Sequence, residues 1–498
     1  MARSAQEVYA ALDLGSNSFH VLLARFDGQR LVVLDRYKDM VRLASGLQAD
    51  GSLSAEAMAR GFEALERIAE RIRPLPKSHV RVVGTNTLRT AKNRDVFLAQ
   101  AEAILGVAIN IVSGMEEARL IYLGVAKDFT PENKTRLVVD IGGGSTELVL
   151  GRNRPLQLES VYMGCVGFSR EFFGEGKLNR AAYEKALLAA RNAVQSLVSR
   201  FGAGNWDEAV GSSGTIRSIE RVLDGMGFNQ NHTVTIDGLR RLADEVIAAK
   251  HSEVLALPGL DSERAPVFAG GLAVLHGLFI ELKIAAMHVS TYALREGIIY
   301  DLAGRLHQRD RRVETIERMM EQYRVDRSHA RNVGRLAARL LAQVDAHVED
   351  DAAQTENLLQ WAIDLHEIGL SIAHSGYHKH GAYIIAHSDM PGFSRQEQQQ
   401  LSFLVLNHRR KLKPEPETYG FTPNWRLVAV LRLACLLLRR REPALVPADL
   451  SITFSGLRCR LRLPTEWLAQ HPLTREDLAQ EKQLLAAVDV DLVLATRG

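Results

Sequence analysis

The feature that most constrains the fold of this chain is a motif that occurs twice with one constant spacing. The segments "ALDLGSNSFHVLL" and "VVDIGGGSTELVL" align without gaps and place Asp13 on Asp140, an offset of 127 residues. Further along, "RVVGTNT" and "EAVGSSG" place Gly84 on Gly211 with the same offset of 127. Two separate strand-to-loop segments with one offset indicate an internal duplication of an α/β unit. The sequence therefore predicts two similar lobes with a cleft between them.

The first 300 or so residues alternate strand-like and helix-like patterns, which is typical of an α/β fold. Helical periodicity runs from Ser54 to Ile72, with Ser54 as the N-cap and Pro74 as the stop, and again over Ala91–Leu105. Short apolar runs predict strands at Val8–Leu12, Phe19–Phe26, Val80–Val83, Leu137–Val139 and Glu147–Leu150.

The character of the sequence changes after about Asp301. Its later patterns predict helices at Glu314–Val344 and Thr355–Leu370, a loop at Lys411–Thr422, a strand pair in Leu450–Leu463, then a helix and the apolar run Val488–Leu494. We expect four domains: lobe I at 1–125, lobe II at 126–304, a helical domain at 305–425 and a small α+β domain at 426–498.

Composition limits the class of protein. The net charge of +3 is too small to indicate nucleic-acid binding, and three widely spaced cysteines exclude a disulfide framework and fit a reducing compartment. The polar start Met1–Glu7 has no signal-peptide pattern. The apolar run Leu427–Leu438 is interrupted by Arg432 and is too short to span a bilayer. We therefore expect a cytoplasmic protein without a nucleic-acid partner or a transmembrane segment.

Both copies of the duplicated motif combine an Asp at a strand end with small residues in a turn. Glycines let backbone N–H groups approach phosphate oxygens, and Asp13 and Asp140 are placed to hold Mg²⁺ directly or through water. A plain hairpin turn would account for one such loop, but it accounts poorly for two copies that each keep the Asp. The predicted phosphate-binding residues are Asp13, Gly15, Ser16, Asn17, Ser18, Thr85, Asn86, Gly142, Gly143, Gly144, Ser145, Gly211, Ser212, Ser213 and Gly214.

The loops that begin at Gly84 and Gly211 each follow a strand and are rich in hydroxyl groups. Loops at the carboxyl ends of strands line the ligand crevice of an open sheet. Arg89 lies within reach of the first loop and is a candidate for bidentate contacts to a phosphoryl group. Ordinary N-capping by Thr and Ser is an alternative that is compatible with this role.

A capping box at Ser113–Glu116 predicts the start of a helix that runs to Val125. On this reading Glu116 serves the helix end, and Glu117 is free to orient or deprotonate a water molecule. Spacing alone does not favour this catalytic role over an ordinary carboxylate in a first helical turn.

Together these motifs resemble the exopolyphosphatase / guanosine pentaphosphate phosphatase family of the actin–hexokinase–Hsp70 superfamily. The residues that carry the resemblance are "DLGSNSFH", "GTNTLR", "SGMEEARLIYLGV", "DIGGGSTELV" and "GSSGT", in that order. The resemblance implies two actin-like (ribonuclease H-like) lobes with an interdomain cleft. It also implies that Glu117, which precedes Ala-Arg, is the catalytic glutamate, that Arg89 is the family arginine, and that Glu147 is a further metal carboxylate beside Asp140 and Asp13.

The resemblance extends into "HEIGLSIAHSGYHKHGAYII", which is similar to an HD-type helical domain. The diagnostic His-Asp pair is His366-Glu367 here, so we interpret His366 as a structural remnant and not as a ligand. Basic segments nearby predict either a solvated face or a path for a polyanionic chain, two interpretations that stay open. The residues of this polyphosphate path are His378, Lys379, His380, His408, Arg409, Arg410, Lys411 and Lys413.

The function implied by the resemblance is exopolyphosphatase activity, with Mg²⁺-assisted attack of a water activated by Glu117 on the terminal phosphoanhydride. The alternative is guanosine pentaphosphate (pppGpp) 5′-phosphohydrolase activity, or both in one protein. A superfamily kinase and a non-catalytic polyphosphate or alarmone sensor are the rivals from other classes. Mn²⁺ and a monovalent cation such as K⁺ are further cofactor candidates. A homodimer is expected, and peripheral membrane association is left open.

Overall fold

The opening apolar run forms the central strand of a five-stranded mixed sheet, in a computed structural model that describes residues 7–28, 30–129, 134–229, 233–306, 310–344, 352–412 and 421–497. Its strands are β1 (Val8–Leu14), β2 (Phe19–Asp27), β3 (Arg30–Asp39), β4 (Val80–Gly84) and β5 (Ile109–Ile111). They lie in the order β3-β2-β1-β4-β5, with β1 antiparallel to β2 and parallel to β4. This sheet is the core of lobe I.

The second copy of the motif begins a sheet of the same plan, which is the core of lobe II. Its strands are β6 (Arg136–Ile141), β7 (Thr146–Gly151), β8 (Pro155–Val161), β9 (Glu208–Ser212), β10 (Thr233–Thr235) and β11 (Ala286–Val289), in the order β10-β11-β9-β6-β7-β8. In register, Asp13 lies opposite His20 on β2, and Asp140 lies opposite Glu147 on β7. The offset of 127 therefore holds for strand pairing as well as for sequence, and the predicted pair of lobes is confirmed.

The helices of lobe I begin where the sequence places polar caps. Ser54 accepts a hydrogen bond from the backbone N–H of Ala57 at 3.3 Å, as expected of an N-cap. The first four helices are α1 (Ala55–Ile72), α2 (Asn86–Thr90), α3 (Arg94–Leu105) and α4 (Gly114–Val125). The helices of lobe II are α5 (Cys165–Phe172), α6 (Arg180–Val194), α7 (Val198–Phe201), α8 (Ser213–Gly225), α9 (Ile236–Ala248), α10 (Ala265–Glu281) and α11 (Leu294–Leu306).

Helices α4 and α11 pack against each other between the two sheets. Each follows the strands of one lobe and contacts the sheet of the other, α4 on β7 and β8, and α11 on β1 and β2. Their backbones approach closely at two glycines. A Cβ on Gly297 would lie 1.8 Å from the carbonyl oxygen of Leu120, and one on Gly124 would lie 2.2 Å from that of Ala293. Only glycine allows this crossing, which fixes the N-terminal turn of α4 relative to both sheets.

A buried ionic cluster anchors α4 next to this crossing. The guanidinium of Arg119 donates to the Glu116 carboxylate at 2.7 and 2.8 Å and also to Asp301 of α11. Arg81 on β4 donates to the same Asp301. Ser113 caps α4 by accepting from the backbone N–H of Glu116 at 3.1 Å, so the predicted helix start is confirmed.

Residues 311–498 form a compact unit separate from residues 1–310. Its helices are α12 (Arg311–Gln322), α13 (Arg327–Leu341), α14 (Ala352–Leu365), α15 (Tyr377–His387), α16 (Arg395–Asn407), α17 (Trp425–Leu437), α18 (Thr465–Gln470) and α19 (Pro472–Ala486), and its strands are β12 (Ser451–Ser455), β13 (Arg458–Pro464) and β14 (Asp491–Arg497). One hydrophobic core joins residues from Ile316 to Leu492, so the predicted boundary at 425/426 falls within this core, at the start of α17.

The sequence predicted one continuous helical pattern over Glu314–Val344, and the structure divides it. The chain turns after α12 at Arg324, whose φ is 53°, and α13 restarts with Asp326 as its N-cap. The predicted helix Thr355–Leu370 ends earlier, with α14 at Leu365.

Helix α17 corresponds to the apolar run Leu427–Leu438 that was considered above as a membrane candidate. Its Arg432 is buried at 2% exposure and is held by Glu481 and by the carbonyl oxygen of Asn407 at 2.7 Å. Among the described residues, no helix has the length and apolar character needed to cross a membrane.

Candidate active site

A cavity of about 670 Å³ lies between the two lobes of the N-terminal unit and is lined by both copies of the duplicated turn. Most of the predicted phosphate-binding residues line it: Asp13, Gly15, Ser16, Asn17, Ser18, Thr85, Asn86, Gly142, Gly143, Gly144, Ser145, Ser213 and Gly214. Gly211 and Ser212 do not. Gly211 lies within β9, where a Cβ would meet Ile216 at 2.6 Å, and the Ser212 hydroxyl donates to Asp140. These two predictions are therefore corrected to supporting positions behind the cavity wall.

The two turns approach each other closely across the cavity. A Cβ on Gly143 would lie 2.9 Å from Cβ of Ser16, and one on Gly144 would lie 2.9 Å from Cγ of Asn86. Side chains at these glycines would separate the lobes or fill the space that a ligand needs. The Nδ2 donor of Asn86 is buried and has no hydrogen-bond partner among the described residues, so an unused donor lies at this junction.

Two aspartates stand at the strand ends beneath the turns. Asp140 is 8% exposed, and burial raises the pKa of its carboxyl against the lowering effect of the Ser212 hydrogen bond. Burial raises the pKa of Asp13 to about 7; Arg295 opposes this shift, and the nearby Glu117 and Asp140 reinforce it. Oδ1 of Asp13 is shielded from solvent and has no hydrogen-bond partner in the described part of the chain.

Glu117 lies in the first turn of α4 and reaches the cavity wall. Nη1 of Arg89 donates to Oε2 of Glu117 at 3.1 Å and to the carbonyl oxygen of Val112 at 2.9 Å. Burial raises the pKa of the Glu117 carboxyl, and Arg89 partly offsets that rise. The structure thus places a buried, cavity-facing carboxylate where the sequence expected the water-activating group.

The position of Arg89 differs from the predicted phosphoryl contact. Its side chain is 4% exposed and is not part of the cavity lining, because its guanidinium is engaged by Val112 and Glu117. The geometry supports a role in holding Glu117, and the phosphoryl contact of Arg89 stays a prediction.

Glu147 lies behind the cavity at 1% exposure and not in its lining. The Ser160 hydroxyl donates to its Oε1 at 2.9 Å. Burial, with the charges of Glu117 and Asp140, raises the pKa of Glu147 well above its usual value. It is therefore part of a carboxylate cluster with those two residues and Asp13.

This cluster fits a divalent cation. Burial raises the pKa of all four carboxyl groups, the charge of Asp140 adds to the rise in the other three, and Asp13 offers an oxygen without a partner among the described residues. Hard oxygen ligands of this kind suit Mg²⁺ or Mn²⁺, and a cation would relieve the repulsion among the charges. Asp13 and Asp140 face the cavity, so they are the better-placed ligands, while Glu147 is placed to support them from behind.

The cavity lining also contains cations that were not identified from the sequence. The lining contains Lys38, Arg217, Arg221, Arg264 and Arg295. These residues come from β3, from α8, from the segment before α10 and from α11, so they are distant in sequence and converge only in the fold. Among these five cations, Arg217 has a local sequence signal, because it follows "GSSGT" within α8. Cationic and acidic side chains therefore line the same cavity, an arrangement that suits a phosphate-rich ligand.

The predicted polyphosphate path lies in the C-terminal unit, and its histidines are not on a solvated face. His378 and His408 are buried at 7% and 3% exposure. Burial lowers the pKa of His378 to about 4 and that of His408 well below its usual value, so both are neutral near pH 7. Arg409 lies 4.5 Å above the ring of Tyr377, and Lys379, Arg410 and Lys411 are exposed. His380 is half-buried, and Lys413 lies outside the described residues.

His366 was interpreted above as a structural remnant, but it belongs to a group of side chains whose geometry is compatible with a metal ion. His329, His366 and Glu367 present ligand atoms within 4.8 Å of one another. However, Arg441 donates to both carboxylate oxygens of Glu367, at 2.8 and 3.0 Å. A guanidinium therefore occupies the acidic side of this group, and its charge opposes that of a cation there.

The comparisons with known proteins agree with this geometry. Residues 22–306 match the Ppx/GppA phosphatase family, and residues 311–482 match Ppx/GppA phosphatase, domain III. The chain is 39% identical over 485 residues to the guanosine-5′-triphosphate,3′-diphosphate pyrophosphatase of Pseudoalteromonas atlantica, covering 96% of this chain and 95% of that protein. It is 39% identical over 477 residues to the protein of the same name from Vibrio cholerae serotype O1 (strain O395), covering 95% of each.

Solved structures share the fold of the two lobes. An exopolyphosphatase from Cytophaga hutchinsonii superposes with a TM-score of 0.54 at 23% identity, covering 60% of this chain and 98% of that one. The Aquifex aeolicus member of the Ppx/GppA family superposes with a TM-score of 0.51 at 22% identity, covering 61% of this chain and 98% of that one. The actin-like arrangement of the lobes is therefore confirmed.

Proposed function

Because this chain belongs to the Ppx/GppA phosphatase family and hydrolyses phosphoanhydride bonds, we propose that its substrate is guanosine pentaphosphate and that it removes the terminal 5′-phosphate. The observation that carries the choice of substrate is the similarity to proteins named for this nucleotide. That similarity extends over 96% of the chain, whereas the exopolyphosphatase from Cytophaga hutchinsonii matches 60% at 23% identity.

Polyphosphate, the substrate that the resemblance implied first, would use the C-terminal basic segments as its path. Burial of His378 and His408 removes part of the physical argument for a long cationic path. The cations Lys38, Arg217 and Arg295 instead line the cavity itself, together with the carboxylates. A compact substrate with phosphates at both its 5′ and 3′ positions suits a site where the cations and the acidic groups share one space.

In the proposed reaction, Glu117 orients a water molecule and accepts its proton as the oxygen attacks the terminal phosphorus in line. The bond from that phosphorus to the bridging oxygen breaks, and guanosine 5′-diphosphate,3′-diphosphate leaves with the electron pair. Arg89 keeps the Glu117 carboxylate in position through the 3.1 Å contact. The N–H groups of the two turns and the amide of Asn86 are placed to donate to the oxygens of the transferred group.

Asp13 and Asp140 would hold a Mg²⁺ ion, with Glu147 behind them. When bound, such an ion would neutralise the charge on the phosphate oxygens and would lower the cost of bringing an anion next to four carboxylates.

A direct comparison of substrates tests the proposal. We expect kcat/KM for guanosine pentaphosphate to exceed kcat/KM for long-chain polyphosphate, measured by phosphate release at fixed Mg²⁺ and moderate salt. Repeating the assay with chelator and with Mn²⁺ tests the cation requirement. A higher kcat/KM for polyphosphate, falling steeply with added salt, would favour the C-terminal path and overturn the proposed preference.

A further inference from the structure

The duplicated hairpins carry opposite chemistry at one equivalent position. In lobe II, Glu147 lies opposite Asp140, and in lobe I the corresponding residue opposite Asp13 is His20. The serines two residues earlier, Ser18 and Ser145, are also equivalent under the offset of 127. The two turns share a backbone plan, so these side chains account for a difference between them in hydrogen bonding.

In lobe I, His20 connects a cation to the phosphate turn. Nη1 of Arg295 lies 2.6 Å from Nδ1 of His20, and Oγ of Ser18 lies 2.7 Å from its Nε2. All three residues line the cavity. Because a guanidinium can only donate, Nδ1 must be the acceptor nitrogen. The ring proton of a neutral His20 is therefore on Nε2 and is donated to Oγ of Ser18.

The surroundings keep His20 neutral. Burial lowers the pKa of His20 well below its usual value, and the charges of Arg295 on α11, Lys38 on β3, Arg264 before α10 and Arg217 on α8 lower it further. A second ring proton would also displace the Arg295 contact. The tautomer with its proton on Nε2 is thus the only one that satisfies both neighbours.

The hydroxyl groups of Ser18 and Ser145 therefore differ in their hydrogen bonding. A hydroxyl has one donor proton and two acceptor positions. Ser145 lies near the Glu147 carboxyl group and lowers its pKa, and Glu147 has no ring N–H to donate to the Ser145 hydroxyl. Ser18 accepts a hydrogen bond from the Nε2–H of His20, so its own hydroxyl proton remains available for an acceptor in the cavity. A phosphate oxygen of a bound substrate would be such an acceptor.

We propose that His20 is a positioning residue, which Arg295 locks in one tautomer so that Ser18 acts as a fixed hydrogen-bond donor to a substrate phosphate. This inference rests on the proposed function in taking a phosphoanhydride substrate. It assigns a fixed side-chain donor for phosphate to the turn of lobe I, where the turn of lobe II has the Glu147 carboxyl group at the position of His20.

The test separates the two nitrogens of His20 by substitution. In His20→Gln the side-chain amide reaches the Nε2 position and still donates to Ser18, whereas His20→Asn ends near Nδ1 and keeps only the acceptor for Arg295. We expect Ser18→Ala, His20→Asn and His20→Ala each to raise KM on the order of tenfold with kcat little changed, since a hydrogen bond to a charged group is lost. His20→Gln should stay close to the wild type.

A double-mutant cycle gives the second readout. Because His20 acts through Ser18, the variant with both His20→Asn and Ser18→Ala should be no worse than Ser18→Ala alone. His288→Ala, at an exposed position of β11, serves as the control that should leave KM unchanged. Additive effects, a loss confined to kcat, or a His20→Gln variant as impaired as His20→Asn would each overturn the proposal.

The choice of substrate keeps this test separate from the proposed function. Both guanosine pentaphosphate and polyphosphate end in a phosphoanhydride, so the same variants are measured on each. If the wild type preferred polyphosphate, the proposed function would fail, and the KM pattern on polyphosphate would still decide the role of His20. If the KM pattern were absent on the preferred substrate, the role of His20 would be wrong while the function stood.

Discussion

At the scale of single residues, the pair formed by Arg89 and Glu117 determines how the reacting group behaves. Burial raises the pKa of Glu117, which makes it a stronger base, and Arg89 keeps the rise in check while fixing the carboxylate at 3.1 Å. A base with a raised pKa accepts a proton from water more readily, but it is lost to protonation at a higher pH. The guanidinium thus sets the pH range over which Glu117 is usable.

Replacing Arg89 by Met should move the acid limb of the pH profile. Removing a cation raises the pKa of a carboxyl further, so the ionised form of Glu117 would be lost at a higher pH as acidity increases. We expect the acid limb of kcat/KM to shift upward by about one pH unit, with kcat/KM lower at neutral pH. The measurement is the pH dependence of phosphate release. An unchanged limb would show that Arg89 does not act on the base.

The sequence identified Glu117 and both aspartates because they occur in short motifs with fixed spacing. It did not predict the contacts of Arg89 with Val112 and Glu117, since the direction of a side chain on a five-residue helix depends on residues elsewhere in the chain. Arg264 and Arg295 were missed for the same reason, because their approach to the cavity is a property of the fold and has no local pattern.

At the scale of elements, the crossing of α4 and α11 holds Glu117 relative to both turns. The sequence predicted β1, β2, β4, β6, β7 and the start of α4, since apolar runs and a capping Ser are local signals, but it gave no prediction for β3, β5, β8, β10 and β11. It did not predict that α4 would pack on β7 and β8 of the other lobe. That exchange depends on Gly124 and Gly297 meeting in space, and a glycine in a helix does not reveal its partner.

The substitution Gly297→Ala tests this crossing. The added Cβ would lie 1.8 Å from the Leu120 carbonyl oxygen, so the backbones must separate. We expect a loss of about 1–3 kcal/mol in the free energy of unfolding, together with lower kcat. Chemical denaturation followed by circular dichroism measures it.

Gly167→Ala is the matched control, because a Cβ there meets nothing within 4 Å. It lies within α5, where alanine should change stability little or raise it by up to about 1 kcal/mol. Equal destabilisation by both substitutions would show that the close approach of α4 and α11 is not the cause of the loss in stability.

At the scale of the whole molecule, the buried carboxylates make folding depend on pH and on cations. Asp13 has a pKa of about 7 in the folded state against 3.8 in the unfolded state. The folded state therefore binds this proton more tightly, and the stabilisation from Asp13 is complete below about pH 4 and is lost as the pH rises through 7. A bound cation should restore part of the loss at high pH.

Removing the charge of Asp13 should reveal this linkage. At pH 8 in chelator, we expect Asp13→Asn to unfold at a higher temperature than the wild type, and the difference should shrink as the pH is lowered toward 4. Adding Mg²⁺ should raise the unfolding temperature of the wild type more than that of the variant. Scanning calorimetry over this pH range is the measurement. A less stable variant at pH 8 in chelator would contradict the argument.

At the scale of the whole molecule, the function was harder to predict from the sequence than the fold. Clusters of His, Lys and Arg in the C-terminal half suggested a polyanion path, but a cluster in sequence does not reveal burial. His378 and His408 lie inside the helical unit, and the half-buried Arg409 stacks on Tyr377. The duplicated motif, by contrast, predicted both lobes, because a repeated strand-turn-strand segment is a local pattern.

The most direct test of the central claim is Glu117→Gln under single-turnover conditions with guanosine pentaphosphate. The amide keeps the shape of the side chain but cannot take a proton from water, so the rate of phosphate release should fall by about 10²–10⁴-fold while nucleotide binding and the circular dichroism spectrum are retained. Glu253→Gln, an exposed position of lobe II, should match the wild type. Release at the wild-type rate by a folded Glu117→Gln protein would contradict the account.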